Sequence, residues 1–152
     1  MIGRMYNVAI GAQAQTGAKT LIEIASAADS VTLVERLYIS QSSFDTSENL
    51  GTKTQDISIT GTGTATIPRP FATGDVAFGG VIETNATIEP TYGTAVHLEQ
   101  GFNVLSGFLW TPANDDEVLV VSPSALMGMN LDVAPSASMD FSYGCTLREI
   151  GG

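Results

Sequence analysis

The sequence predicts an all-β fold, an antiparallel β-sandwich of jelly-roll type that forms one domain over residues 1–152. Apolar and polar residues alternate in many short segments, and no apolar stripe of helical period is long enough to predict a helix. Clusters of Gly, Pro, Asn, Asp and Ser separate these segments. We therefore expect eight to ten strands, spaced by about 8–12 residues as in sandwiches and jelly rolls.

Strands are predicted in the first 60 residues at 5–14, 19–26, 31–40 and 54–60. The first places Tyr6, Val8, Ile10 and Ala12 on one face. The third places Val31, Leu33, Leu37 and Ile39 on one face. Its other face also carries apolar residues, which indicates that a second sheet or another subunit partly covers both faces.

Further strands are predicted at 77–88, 95–99, 102–110, 117–121, 125–133 and 139–150. The last of these has the most regular alternation in the second half of the chain. Its apolar face consists of Met139, Phe141, Tyr143, Cys145 and Leu147. A two-residue period of this length predicts a strand packed on the core.

The segment 60–80 is rich in Gly, Thr, Ala and Pro, and it predicts a long flexible loop or arm. It is not a phosphate-binding loop, because no helix follows its glycines and it lacks the Gly-Lys-Ser/Thr sequence. Prolines stiffen its second half, where Phe71 and Phe78 add large apolar groups. The composition favours an arm that orders on a neighbouring subunit, and the alternative is a loop that packs back on its own sandwich.

The charge balance excludes two classes of partner. Sixteen acidic and six basic residues give a net charge of −10. No two basic residues are adjacent, whereas binding to nucleic acid or to an anionic membrane requires clustered cations. The first residues lack the apolar core of a signal peptide, and no apolar run reaches the roughly 20 residues of a membrane span. We expect a soluble protein made in a reducing cytoplasm, without nucleic acid or membrane as partner.

Candidate catalytic groups are sparse. His97 is the single histidine and Cys145 the single cysteine, which excludes a multi-histidine metal site and an intrachain disulfide. A serine–histidine–aspartate arrangement stays open, but there is no G-x-S-x-G motif. We expect a structural histidine, a buried structural cysteine and no enzyme activity.

Two loop features leave ligand alternatives open. The acidic run 114–117 is typical of a turn, although with Asp45 or Glu48 it could offer oxygen ligands to calcium. Trp110, Phe102 and Phe108 could form a sugar-stacking platform but are more typical of a core. We expect no metal and no cofactor.

Four stretches carry a resemblance to a known family: LYISQSS at 37–43, IPRPFATGDVAFGG at 67–80, GFNVLSGFLWTPANDDEVLVVSPSALMGMNL at 101–131 and FSYGCTLREIGG at 141–152. In these stretches the chain resembles small virion proteins of tailed bacteriophages, in particular the jelly-roll capsid cement (decoration) proteins. The resemblance implies a homotrimer on the outer capsid surface that clamps neighbouring subunits of the major capsid protein. It implies no enzyme activity and no cofactor.

Two sets of residues are the predicted partner contacts. In the arm they are Pro68, Arg69, Pro70 and Phe71, and near the chain start they are Met1, Ile2, Arg4 and Tyr6. The alternatives are another virion component (tail, head fibre or baseplate) or a lectin-like carbohydrate-binding jelly roll. The net negative charge favours a basic patch on the partner.

Overall fold

A computed structural model describes residues 3–43 and 47–151, so the predicted contacts Met1 and Ile2 lie outside the described residues. Twelve strands make up almost all of the regular structure of these described residues. They are β1 (Arg4–Gln15), β2 (Lys19–Ala25), β3 (Ser30–Gln41), β4 (Asn49–Ile59), β5 (Thr62–Thr66), β6 (Arg69–Pro70), β7 (Val81–Ile88), β8 (Thr91–Asn103), β9 (Phe108–Trp110), β10 (Leu119–Val121), β11 (Leu126–Leu131) and β12 (Met139–Gly151). The helices of the described residues include none that is long and apolar enough to cross a membrane.

The strands form two antiparallel six-stranded sheets. Sheet A has the order β10-β3-β12-β1-β6, with β9 pairing further along β3, and sheet B has the order β5-β7-β2-β11-β4-β8. If β5 to β7 are set aside as an insertion and β9 and β10 count as one interrupted strand, eight strands remain. When these eight strands are renumbered 1 to 8 along the chain, sheet A has the order 1-8-3-6 and sheet B has the order 2-7-4-5. This is the strand order of a jelly roll. The predicted all-β sandwich is confirmed.

The core lies between the two sheets. β12 is at the centre of sheet A between β1 and β3, and its predicted apolar face points inward with every side chain at most 1% exposed. From sheet B, alternate residues of β2, β7 and β11 complete the same cluster, among them Ile22, Ile24, Ile82 and Met127. The alternation in the sequence therefore predicted the inward face of the central strand correctly.

A β-bulge in β3 contradicts part of the face predicted for this strand. Thr146 pairs with Arg36 whereas Leu147 pairs with Val34, so Glu35 is an extra residue without a partner in β12. The extra residue shifts the alternation by one position. Leu37 and Ile39 point inward as predicted, but before the bulge Thr32 and Val34 are the buried residues. The prediction for Val31 and Leu33 is wrong, since both lie on the outer face.

The segment 60–80 contains two strands where the sequence predicted a long flexible loop. Thr62–Thr66 forms β5 at the edge of sheet B, and Arg69–Pro70 forms β6 at the edge of sheet A. Beyond them, Phe78 is buried and packs edge-on against Tyr6 with ring centroids 5.3 Å apart. The segment thus packs on its own sandwich, which was the alternative that the sequence left open. Its contact with a neighbouring subunit stays a prediction.

Alkaline pH is expected to destabilise the fold through two buried groups on β12. Burial raises the pKa of the Tyr143 hydroxyl to about 12 and that of the Cys145 thiol to about 12. Both groups keep their protons up to a higher pH in the folded state than in the unfolded state. Their contribution to stability is complete below pH 9 and is lost as the pH rises through 12.

Replacing Tyr143 with phenylalanine is expected to raise the free energy of unfolding by about 1 kcal/mol. The Tyr143 hydroxyl is buried and has no hydrogen-bond partner among the described residues, so it is desolvated without compensation. Urea unfolding at pH 7 and at pH 11 measures the effect, and the gain should be larger at pH 11. A loss of stability in Y143F at both pH values would contradict this reading.

Candidate functional site: the outer face of sheet A

Pairing between β1 and β6 brings the two sets of predicted partner contacts to one edge of sheet A. Tyr6 pairs with Pro70, Asn7 pairs with Arg69, and the amide of Phe71 donates to the carbonyl oxygen of Met5 at 3.0 Å. This pairing joins positions more than 60 residues apart in sequence. The short segment at 68–71 is therefore part of the face of sheet A.

The predicted contact residues differ in exposure. Arg69 is exposed, Phe71 is 62% exposed, and Pro70 and Arg4 are half-buried. Tyr6 and Pro68 are buried, and the Tyr6 hydroxyl donates to the carbonyl oxygen of Val76 at 3.1 Å. Burial, followed by the nearby Glu149 carboxylate, raises the pKa of Tyr6. In this arrangement Tyr6 and Pro68 support the face from inside, and their contact with a partner stays a prediction.

A row with apolar residues on both sides of Arg148 crosses the whole of sheet A on its outer side, and Arg148 at its centre forms an ion pair with Glu35. Residues opposite each other on antiparallel strands have side chains on the same face. The pairings Val120 with Leu33, Leu33 with Arg148, and Arg148 with Met5 extend to Phe71 through its bond to Met5. Val120 at one end is 51% exposed. The row therefore presents apolar groups at both edges of the sheet.

The next row along the strands carries two arginines. Arg36 pairs with Thr146, Thr146 with Asn7, and Asn7 with Arg69. Both arginines are exposed, and in residues 3–43 and 47–151 neither forms an ion pair. Thr146 and Asn7 between them have shorter side chains, so the middle of the row projects less from the sheet than its ends do.

A third row contains an aromatic residue that lies over a glycine. Tyr38 pairs with Leu109 on one side and with Gly144 on the other. A Cβ atom at Gly144 would lie 2.6 Å from the Tyr38 hydroxyl oxygen, so the tyrosine lies over β12 where this glycine leaves room. The Arg36 guanidinium stacks on the Tyr38 ring at 5.2 Å from its centroid. Leu109 at the sheet edge is 63% exposed.

We call this surface the arginine face, defined by Met5, Leu33, Arg36, Tyr38, Arg69, Phe71, Leu109 and Val120. Aromatic residues, Met and Arg are the types enriched in protein–protein interfaces. The sequence indicated only its β6 edge. Leu33 was missed because it was assigned to the core, and Arg36 was missed because its neighbours in the row come from distant strands. The apolar character noted on the second face of 31–40 was the available signal.

The outer face of sheet B is acidic by comparison. Glu23 and Glu83 lie directly opposite each other on β2 and β7. Each accepts an amide hydrogen bond from the insertion, from Gly61 at 3.1 Å and from Gly63 at 3.0 Å. These contacts offset the repulsion between the two carboxylates. The two outer faces of the sandwich therefore differ in charge.

His97 lies at an open cleft between the edges of the two sheets. The cleft has a volume of about 460 Å³, and its lining includes His97, Asp56, Ser58, Ser122 and Ser124. His97 Nε2 lies 2.6 Å from Asp56 Oδ1. Sequence reasoning missed this pair, because the residues lie 41 positions apart on neighbouring strands. The cleft is where the catalytic alternative would act.

The remaining candidates have structural surroundings. Cys145 is fully buried. Phe102 and Phe108 are buried in the core, and Trp110 is half-buried and packs against it. In the acidic run, the Asn114 side chain accepts from the Asp116 amide at 2.9 Å and caps a short 3₁₀ turn, Asp115–Glu117. The described residues contain no group of three or more side chains placed to hold a metal ion.

Comparison with known proteins found no matching family model, no matching curated protein and no matching solved structure.

Proposed function

We propose that the protein is a structural virion component, a capsid cement protein that binds the outer surface of a phage capsid and stabilises contacts between major capsid protein subunits. It acts as a homotrimer at the capsid surface after synthesis in the cytoplasm of the bacterial host. The proposal rests on the sequence resemblance and on one structural observation, the arginine face. Three of its edge residues, Phe71, Leu109 and Val120, are each more than half exposed.

The arginine face supports a role in assembly for a physical reason. The face combines exposed apolar residues at its edges with two exposed arginines, and aromatic residues, Met and Arg are enriched at interaction sites. The outer face of a six-stranded sheet suits a broad partner surface better than a small ligand, which requires a concave pocket. A symmetric trimer multiplies each contact, so that modest interactions at each subunit give firm attachment.

The native mass and shell binding test this proposal together. Light scattering should give about 48 kDa, three times the 15.9 kDa chain. The protein should also co-sediment with expanded capsid shells of the virus that encodes it. The variant L109S/V120S should weaken this binding at least about 10-fold, because it removes apolar contact area.

Two variants serve as controls for shell binding. Ile88 is 64% exposed but lies on β7 of sheet B, so I88S changes an equally exposed apolar residue away from the arginine face. H97A removes the histidine of the cleft. Both should bind shells like the wild type. Loss of binding in H97A, with L109S/V120S unaffected, would mean that the cleft and not the arginine face contacts the shell. A wild-type protein that does not bind shells would favour another virion role.

A further inference from the structure

We propose that the arginine face binds an acidic protein surface, on which carboxylates engage Arg36 and Arg69 while apolar groups pack on the rows at either side. This inference rests on the proposed function, because it specifies the chemistry of the capsid surface that the protein binds. It reverses the partner charge expected from the net charge of −10, which favours a basic patch.

The geometry sets the spacing of the partner's carboxylates. Arg36, Thr146, Asn7 and Arg69 stand in one row on the neighbouring strands β3, β12, β1 and β6. Neighbouring strands are about 4.8 Å apart, so the two arginine Cα atoms are about 14 Å apart. Asn7 and Thr146 between them are shorter and leave the middle of the row open. A partner can therefore place one carboxylate at each end and a flatter surface between them.

The local charges make both arginines available. Arg148 also lies on this face, but Glu35 binds it, and that hydrogen bond, with a further contribution from the Asp115 charge, raises the pKa of Arg148. Arg36 stacks on Tyr38, and stacking orients a guanidinium without using its hydrogen-bond donors for a carboxylate. Arg36 and Arg69 thus keep donors for bidentate carboxylate recognition.

Other occupants fit less well. A chain of net charge −10 repels nucleic acid, and two arginines are too few to drive phosphate binding. A second copy placed face to face would oppose arginine rows of like charge. A second copy presenting acidic sheet B would join opposite sides of the sandwich and build an open stack, which conflicts with a closed trimer. An acidic surface on a different protein satisfies both the charge and the symmetry.

The experiment measures binding to expanded shells of the same virus with variants that reverse charge. R69E should bind about 10-fold more weakly than wild type at low salt, and R36E/R69E about 100-fold more weakly. Wild-type binding should weaken as the salt concentration rises from about 50 to about 300 mM, because salt screens charge pairs. R36E/R69E should lose most of this salt dependence. K19E makes the same change of charge on sheet B and should stay within about 3-fold of wild type.

Each other outcome has a definite meaning. If the wild type does not bind shells at all, the proposed function is wrong. If the wild type binds and R36E/R69E binds equally well or more tightly, the acidic partner is wrong while the proposed function stands. If R36E/R69E instead abolishes a concentration-dependent growth of the free protein beyond a trimer, the occupant is a second copy. R36K/R69K keeps both positive charges and should recover part of the affinity that R36E/R69E loses. An unchanged melting temperature in all variants excludes misfolding as the cause of weaker binding.

Discussion

The Gly144→Ala variant is expected to lose about 3 kcal/mol of unfolding free energy, a large effect for adding one methyl group. A Cβ atom at this position would lie 2.1 Å from the carbonyl oxygen of Val8 on β1 and 2.8 Å from the Tyr38 ring. Both neighbours are fixed, one by the β1–β12 ladder and the other by its place over the sheet. The backbone of β12 must therefore shift away from β1 at the centre of sheet A.

Urea unfolding followed by circular dichroism measures the loss, and Gly17→Ala is the matched control. Gly17 lies between β1 and β2, and a Cβ atom there would meet nothing within 4 Å. G17A should therefore change stability by less than about 0.5 kcal/mol. Because Tyr38 belongs to the arginine face, G144A should also weaken shell binding under conditions where it remains folded. If G144A is as stable as G17A, then β1 and Tyr38 do not pack as closely against Gly144 as described.

The Glu149→Ala variant is expected to lose about 2–4 kcal/mol and to open the end of the insertion. The Glu149 carboxylate on β12 is only 3% exposed. It accepts hydrogen bonds from the Gly79 amide at 2.9 Å, from the Ser30 hydroxyl at 3.2 Å and from the Tyr6 hydroxyl at 3.4 Å. Removing it takes the acceptor from the buried Ser30 hydroxyl and from the Gly79 amide in the loop after β6, while the Tyr6 hydroxyl keeps the Val76 carbonyl oxygen.

Two measurements separate these consequences. Urea unfolding gives the loss of stability, and limited proteolysis should show faster cleavage at residues 72–80 in E149A than in the wild type. Glu149→Gln keeps one acceptor oxygen and should fall between the two proteins. Glu99→Ala removes an exposed carboxylate that contacts Lys53 at 3.4 Å, and it should cost less than about 1 kcal/mol. Unchanged proteolysis in E149A would show that other contacts hold the loop.

The fold could be predicted because strand alternation directly reports which side chains are buried. In β12 the pattern runs without interruption, so the five apolar inward residues were identified, and the sixth inward residue is the polar Glu149. In β3 it failed at one point, because Glu35 is inserted without any residue type that marks a bulge. Before that position every face assignment is reversed, and this reversal hid Leu33 from the predicted surface.

The candidate site was predictable only at one edge, since the rest depends on pairing between distant strands. Arg69 and Phe71 stood out as large side chains in a segment of small residues. Arg36 joins them through three successive strand pairings, none of which is visible in a local window. The sequence does not show that Tyr38 lies over Gly144, because the two residues come from different strands. Strand pairing therefore brings Arg36 and Tyr38, which have no distinguishing feature in the sequence, beside Arg69 and Phe71.

The central position of β12 also governs the order in which the chain can fold during synthesis. β12 pairs with β1 on one side and β3 on the other, and these contacts link residues at least 100 positions apart. Until residues 139–151 leave the ribosome, β1 and β3 have no shared neighbour, and both keep open edges and apolar inner faces. Non-local pairings of this kind give slow folding, on the order of milliseconds to seconds for all-β domains. A nascent chain halted before residue 139 should therefore depend on chaperones, and release of β12 should complete sheet A in one cooperative step.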